Sequence, residues 1–271
     1  MLELYKKQNA DGIRLSYSNL KYFYKSPIDF IKYINKDFEW NDSMILGSAV
    51  DCKLLEPQLF ENKFIVCPKI DRRTKAGKEQ YLNLLSISEA ENKIIINEEL
   101  NLKANLMVDQ LLNNKLSKYL LNHTNESQKK VSFTYKGYQI KGIIDGIGEF
   151  EDGKNFIFDL KTTNDADPKF WSKQIINWMY HLQAYIYQTA VAFKVEKPDF
   201  YHIVIENVEP YKVMVFKFSP NMLNLGGKIF RKIMKDFEYC DKNNLWFEGY
   251  EFDNQNILEI DFPEWYNNQF N

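Results

Sequence analysis

The chain has 271 residues, of which 45% are hydrophobic and 15% aromatic, enough to bury a full core within one domain. Its 35 basic and 37 acidic side chains leave a net charge of −2, so any contact with a polyanion has to come from a local patch rather than from the whole surface. No apolar run approaches the roughly 20 residues of a membrane helix, and the opening Met1-Leu2-Glu3-Leu4-Tyr5-Lys6-Lys7 lacks signal-peptide architecture, which gives the cytoplasm as the expected location and no membrane partner.

In chain order, residues 1–95 are expected to form a helical N-terminal region, 96–240 an αβββαβ core, and 241–271 an acidic, aromatic C-terminal arm, all within one domain. Arg72, Arg73, Lys75 and Lys78 fall in a Gly-containing loop that could clamp backbone phosphates, although a solvated charge run has the same composition. Cys52, Cys67 and Cys240 are scattered and odd in number, so reduced thiols are expected. After Lys242 no basic residue occurs, while Glu248, Glu251, Asp253, Glu259, Asp261 and Glu264 alternate with Trp246, Phe247, Tyr250, Phe252, Phe262 and Trp265. Such a tail avoids DNA, and its aromatics argue for an arm packed on its own domain or on a neighbouring subunit.

The chemistry concentrates in two adjacent apolar runs. Gly142-Ile143-Ile144-Asp145-Gly146 and Phe156-Ile157-Phe158-Asp159-Leu160-Lys161-Thr162-Thr163 read as buried strands bounded by turns at Lys136-Gly137 and Asp152-Gly153. Asp145 and Asp159 are therefore ionisable groups near the interior, and such groups need partners. A divalent cation held by carboxylate oxygens and one backbone carbonyl is such a partner; it also binds phosphate and lowers the pKa of bound water. Lys161, two residues after Asp159, shares its strand face and can orient an attacking water or offset charge on phosphate. Asp-x-Lys alone is more often a surface ion pair, and it is the context of neighbouring elements that favours the functional reading.

Further along, Ile175, Met179, Leu182, Ile186, Thr189 and Phe193 recur at alternating spacings of four and three, the apolar face of a long helix. Gln183 and Tyr187 project together from an adjoining face; core packing explains the tyrosine but not a buried glutamine. His181 and His202 have no metal-ligand spacing and are expected to be hydrogen-bonded structural histidines.

The order helix, three-strand meander, long helix, strand, with acids on the second and third strands, resembles the PD-(D/E)XK nuclease superfamily. The resemblance implies an α/β (α+β) restriction-endonuclease-like fold, a mixed central sheet flanked by helices with an N-terminal helical extension. Leu15-Ser16-Tyr17-Ser18-Asn19-Leu20, Gly47 to Pro57, Phe64 to Pro68 with Arg72 to Glu79, Asp159 to Thr163 and Tyr180-His181-Leu182-Gln183 occur in the order seen in the nuclease domain of exonuclease VIII, the RecE-type recombination exonuclease. These blocks span about residues 12–205.

That resemblance implies catalytic roles for Asp145, Asp159, Lys161, Glu126, Gln183 and Tyr187, and metal ligation by Asp51, Asp145, Asp159 and the Leu160 backbone carbonyl. It implies DNA contacts from Arg72, Arg73, Lys75, Lys78, Thr162 and Gln183. Asp51 stands where the family commonly has a histidine; an all-oxygen Mg²⁺ site, with Mn²⁺ able to substitute, follows if it binds, and otherwise it is a helix-surface acid. Glu126, taken alone, is an ordinary loop glutamate. The four-cysteine set of iron–sulfur relatives is lacking. The implied activity is 5′-to-3′ degradation of one strand of linear duplex DNA in phage or prophage recombination inside a bacterial host cell. Implied partners are a single-strand annealing protein and further copies of the chain in a trimeric or tetrameric ring. A sequence-specific endonuclease of the same fold or a non-catalytic DNA-binding or assembly protein are the alternatives.

Overall fold

The computed structural model describes residues 14–37, 39–192, 197–247 and 260–261. Asp152-Gly153 and Lys136-Gly137 do form turns, with φ of +81° at Gly153 and +85° at Gly137, values that an L side chain rarely adopts. They separate the three meander strands β4 (Thr124–Tyr135), β5 (Tyr138–Glu149) and β6 (Asn155–Thr163). Strand β1 (Arg14–Ser16) lies parallel to β5, β7 (Asp199–Glu206) runs parallel to β6, and β8 (Val213–Lys217) pairs antiparallel with β7. The result is a mixed six-stranded sheet, while β2 (Phe64–Cys67) and β3 (Ile94–Asn97) form a separate parallel pair. The N-terminal region, expected to be helical, thus also carries strands and gives β1 to the central sheet.

Both faces of the sheet are buried, which explains the uninterrupted apolar runs of β6 and β7. On one face, helices α1 (Tyr17–Phe23), α2 (Pro27–Ile34), α9 (Tyr180–Val191) and α10 (Pro220–Asn243) pack Leu20, Phe30, Leu182, Ile186, Phe230 and Phe237 against Ile144 and Ile157. On the other face, α3 (Asp42–Leu55), α6 (Glu98–Asn113) and α7 (Lys115–Asn122) pack Val50, Met107, Leu111 and Leu120 against Phe156, Phe158, Ile203 and Ile205. Period-two alternation along β6 sends successive side chains to the two cores. Burying each such side chain stabilises the fold by about 1.5–3 kcal/mol. The short α4 (Phe60–Lys63) and the longer α5 (Lys75–Glu91) flank the β2–β3 pair.

The long helix expected around Ile175 to Phe193 is two helices, α8 (Pro168–Asn177) and α9, because Met179 takes a left-handed φ of 56° and interrupts the ladder. Ile175, Met179, Leu182 and Ile186 are nevertheless buried as their spacing requires; Phe193 lies outside the described residues. Trp246 is 1% exposed and packs on Phe23, Phe30 and Phe237, so the chain after α10 first folds back onto its own core. Phe247, Ile260 and Asp261 are exposed, and the remaining tail residues lie outside the described set. None of the three cysteines is in a disulfide, and all three are buried.

Candidate active site

The inner edge of β5 is shared between two partners. Residues 139–141 pair with β1 and residues 146–149 with β6, so the backbone from 142 to 145 has no ladder partner on that side. The β5–β6 ladder ends at Gly146↔Phe158, and Asp145 and Asp159 are the first residues beyond it. β6 itself continues against β7 as far as Thr163. Two carboxylates therefore sit in a fork whose walls are regular sheet.

Freed from the ladder, the Leu160 amide donates to Asp145 Oδ2 at 2.7 Å. An extended residue projects its N–H and C=O toward the same edge, so the Leu160 carbonyl also faces the fork. Gln128 Nε2 donates to the other oxygen, Asp145 Oδ1, at 3.2 Å. Asp159, nearly buried, accepts from Gln183 Nε2 at 2.8 Å through Oδ1, and its Oδ2 sits against Lys161 Nζ and takes no other hydrogen bond. The same Gln183 nitrogen lies 3.2 Å from Tyr187 Oη, and Gln183 Oε1 is buried without a partner. Gln183 and Tyr187 thus project together onto the acid, as their spacing predicts.

The electrostatics follow from crowding. Burial, then the neighbouring Asp159, push the Asp145 carboxyl up to about 7 against the opposing pull of Lys161. Burial and Asp145 likewise hold Asp51, reaching in from α3, well above the ordinary aspartate range. Burial disfavours the charge on Lys161, but Asp159, Tyr180 and Asp145 outweigh it and keep the ammonium protonated. The Lys161 ammonium also lies 5.0 Å from the centre of the Tyr180 ring.

Three carboxylates against one ammonium leave two uncompensated negative charges when all are ionised, and every donor atom is oxygen. That set fits a hard divalent cation. Among the described residues no three acidic, histidine or cysteine side chains are already gathered as metal ligands; Lys161 and Gln183 contact Asp159 instead, and Gln128 and the Leu160 amide contact Asp145.

Several expected site residues lie elsewhere. Glu126 is not a loop residue ahead of the meander but part of β4, largely exposed and ion-paired to Lys129, because the strand begins at Thr124 with a bulge. The residue that reaches Asp145 from this strand is Gln128, level with it between the pairs Ser127↔Gly146 and Lys129↔Ile144 and held at a φ of 49°. Arg72, Arg73, Lys75 and Lys78 do not all lie in the expected Gly-containing loop: Thr74 caps α5 by accepting from Gly77, which places both lysines on the helix. All four basic residues are exposed, Arg73 pairs with Asp71 at 3.0 Å, and Arg72 stacks 3.7 Å over Tyr81. Thr162 faces the α3 side of β6, where Gly47 approaches its hydroxyl. His181 is buried, and His202 is fully buried among Trp171, Tyr180, Phe200 and Phe218 with neither ring nitrogen hydrogen-bonded, so aromatic packing rather than hydrogen bonding holds it.

Beside Lys161, Gln183 and Tyr187 opens a cavity of about 820 Å³ whose rim carries Arg14, Lys130 and Lys141. None of these was marked by sequence spacing, since β1 is three residues long and the two lysines sit on different strands.

Residues 16–249 match the PDDEXK-like domain of unknown function (DUF3799). No curated protein matches the chain. Among solved structures, a crystal structure described as a "Putative exonuclease" from Eubacterium rectale superposes with a TM-score of 0.59 at 15% identity, over 96% of this chain and 95% of that one. SSO0001 gives a TM-score of 0.30 at 13% identity over 85% and 83% of the two chains, too low to bear on the fold. No helix among the described residues is long and apolar enough to cross a membrane. With most of its length matched, the chain belongs to the PDDEXK-like family and has the PD-(D/E)XK nuclease fold.

Proposed function

We propose that the chain is a Mg²⁺-dependent exodeoxyribonuclease that degrades linear double-stranded DNA from 5′ ends and leaves 3′ single-stranded overhangs for an annealing protein. The observation that carries the hydrolytic part is the fork: Asp145 and Asp159 at the end of one ladder, with Lys161 against Asp159 and with Asp51 near enough for both acids to raise its carboxyl. A non-catalytic DNA-binding protein gains nothing from burying acids where phosphate must come. In this reading Asp51, Asp145, Asp159 and the Leu160 carbonyl hold the cation, and Mn²⁺ can replace Mg²⁺. Bound there, the cation supplies Lewis-acid polarisation of phosphate and a more acidic water.

The chain's own residues do the rest. Lys161, kept charged, orients the attacking water or offsets charge on the phosphate. Gln183 fixes the rotamer of Asp159 and lines the cleft. Polarity, the annealing partner and a closed ring rest on the exonuclease VIII resemblance; the "Putative exonuclease" fold neighbour agrees with exonucleolytic action. Duplexes labelled at either the 5′ or the 3′ end test polarity. Early release of label from 5′ ends with the 3′-labelled strand kept long supports the reading, and the reverse order overturns it.

A further inference from the structure

The break between α8 and α9 leaves Trp178 at the surface, 46% exposed, beside Ile176, 68% exposed, and Tyr24. These side chains, with Lys21, Tyr22 and Lys25, line a small cavity of about 240 Å³. Lys21 Nζ lies 4.8 Å from the Trp178 ring centre and 5.3 Å from those of Tyr17 and Tyr22; Lys25 Nζ is 5.7 Å from Tyr22. Neither lysine is ion-paired to an acid among the described residues. In a chain with a net charge of −2, this is a concentrated, uncompensated positive spot set among flat rings.

The spot is wired to the candidate active site. Tyr17 donates its hydroxyl to the Trp178 carbonyl and also lines the larger cavity with Lys161. The Lys161 charge helps to hold the Lys21 ammonium down to about 8, after burial, the largest cause, and ahead of Lys25. A partly desolvated cation facing other cations is completed by an anion, and exposed rings beside it are completed by another flat ring.

We propose that Trp178, Lys21 and Lys25 form a nucleotide-binding subsite that stacks one base of a single DNA strand on Trp178 and pairs its phosphate with the lysines, next to the phosphate being cleaved. The proposal rests on the nuclease reading and names how that site grips its substrate. Stacking of this kind tolerates any base, as an enzyme that degrades whatever sequence it meets requires.

Anisotropy of labelled oligo(dT) in EDTA, where no cleavage occurs, tests it. Trp178→Ala weakens binding about tenfold and Trp178→Phe less than threefold, while Lys21→Gln flattens the log–log salt dependence by about 0.7. The Trp178 ring is half-exposed and its carbonyl is retained, so circular dichroism of Trp178→Ala should match wild type. Binding by Trp178→Ala within twofold of wild type, wild-type protein that does not bind oligo(dT), or a change of mass in light scattering in place of weaker DNA binding overturns the subsite. A protein that cleaves DNA but shows no Trp178 effect sinks this proposal alone; one that shows the effect without cleaving sinks the nuclease reading alone.

Discussion

Gln183 Nε2 stands 2.8 Å from Asp159 Oδ1, so a helix on one face of the sheet sets the rotamer of an acid on its third meander strand. That helix can approach only because β5 has no side chain at Gly142: a Cβ there would fall 2.7 Å from Tyr187 Cε1. Gly142→Ala should therefore push Tyr187 and Gln183 away from Asp159. Overpacking of this kind costs about 1–3 kcal/mol, and the displaced amide should lower cleavage by at least about tenfold. Wild-type melting temperature and wild-type cleavage together would show that the Tyr187 ring gives way freely.

Asp51 stands where the exonuclease VIII resemblance implies a histidine, and its position among Asp145, Asp159 and Lys161 makes it a proposed ligand. Asp51→His should keep part of the activity and shift the optimum toward Mn²⁺, since imidazole suits softer ions. Asp51→Ala should lose far more. A Mg²⁺ titration in which Asp51→Ala matches wild type would make Asp51 a bystander.

His202 predicts a pH effect on stability. Burial, then Lys161, depress its pKa well below the usual 6.5, so the folded protein binds fewer protons than the unfolded chain at mildly acid pH. Its neutral form is then a liability that grows as pH falls below the unfolded value. Replacing it with Phe removes two buried, unpartnered nitrogens and should stabilise the protein by about 1–2 kcal/mol at pH 7.5. The advantage should widen by about 1.4 kcal/mol one unit below the unfolded pKa. Thermal melts of wild type and His202→Phe at pH 7.5 and 5.5 measure both; an advantage that does not grow on acidification contradicts the depressed pKa.

A ring remains the proposed assembly, closed head-to-tail so that a nearly neutral chain encloses DNA instead of attracting it. Light scattering at micromolar concentration should give a trimer or tetramer. Because Trp246 is a core residue, truncation is cleanest after Phe247 and should lower the mass or the solubility without unfolding the domain. A monomer that still degrades long duplexes processively contradicts the ring.

What the sequence disclosed about this fold follows from what local patterns can encode. The turns at Gly137 and Gly153, the buried strands carrying Asp145 and Asp159, and the Gln183–Tyr187 pair were legible because glycine and apolar spacing fix them within a few residues. The front half of β4 was not: Asn125 to Lys130 is entirely polar, so no alternation announces a strand and nothing local distinguishes Gln128 from Glu126. The break at Met179 was equally silent, since a methionine carries no preference for the left-handed region that tertiary packing imposes on it. The convergence of Asp51 from α3 on the fork depends on docking across the sheet, which spacing along the chain does not contain.

The most direct test of the central claim is digestion of end-labelled linear, nicked and closed-circular DNA with Mg²⁺ by wild type, Asp159→Asn and Lys161→Ala. Linear duplex should be degraded from its ends and closed circles left intact. EDTA should stop the reaction, and each variant should be slower by about two to three orders of magnitude at unchanged circular dichroism. Cleavage of closed circles would contradict the exonuclease assignment, and near wild-type, Mg²⁺-dependent cleavage by either variant would contradict the active site itself.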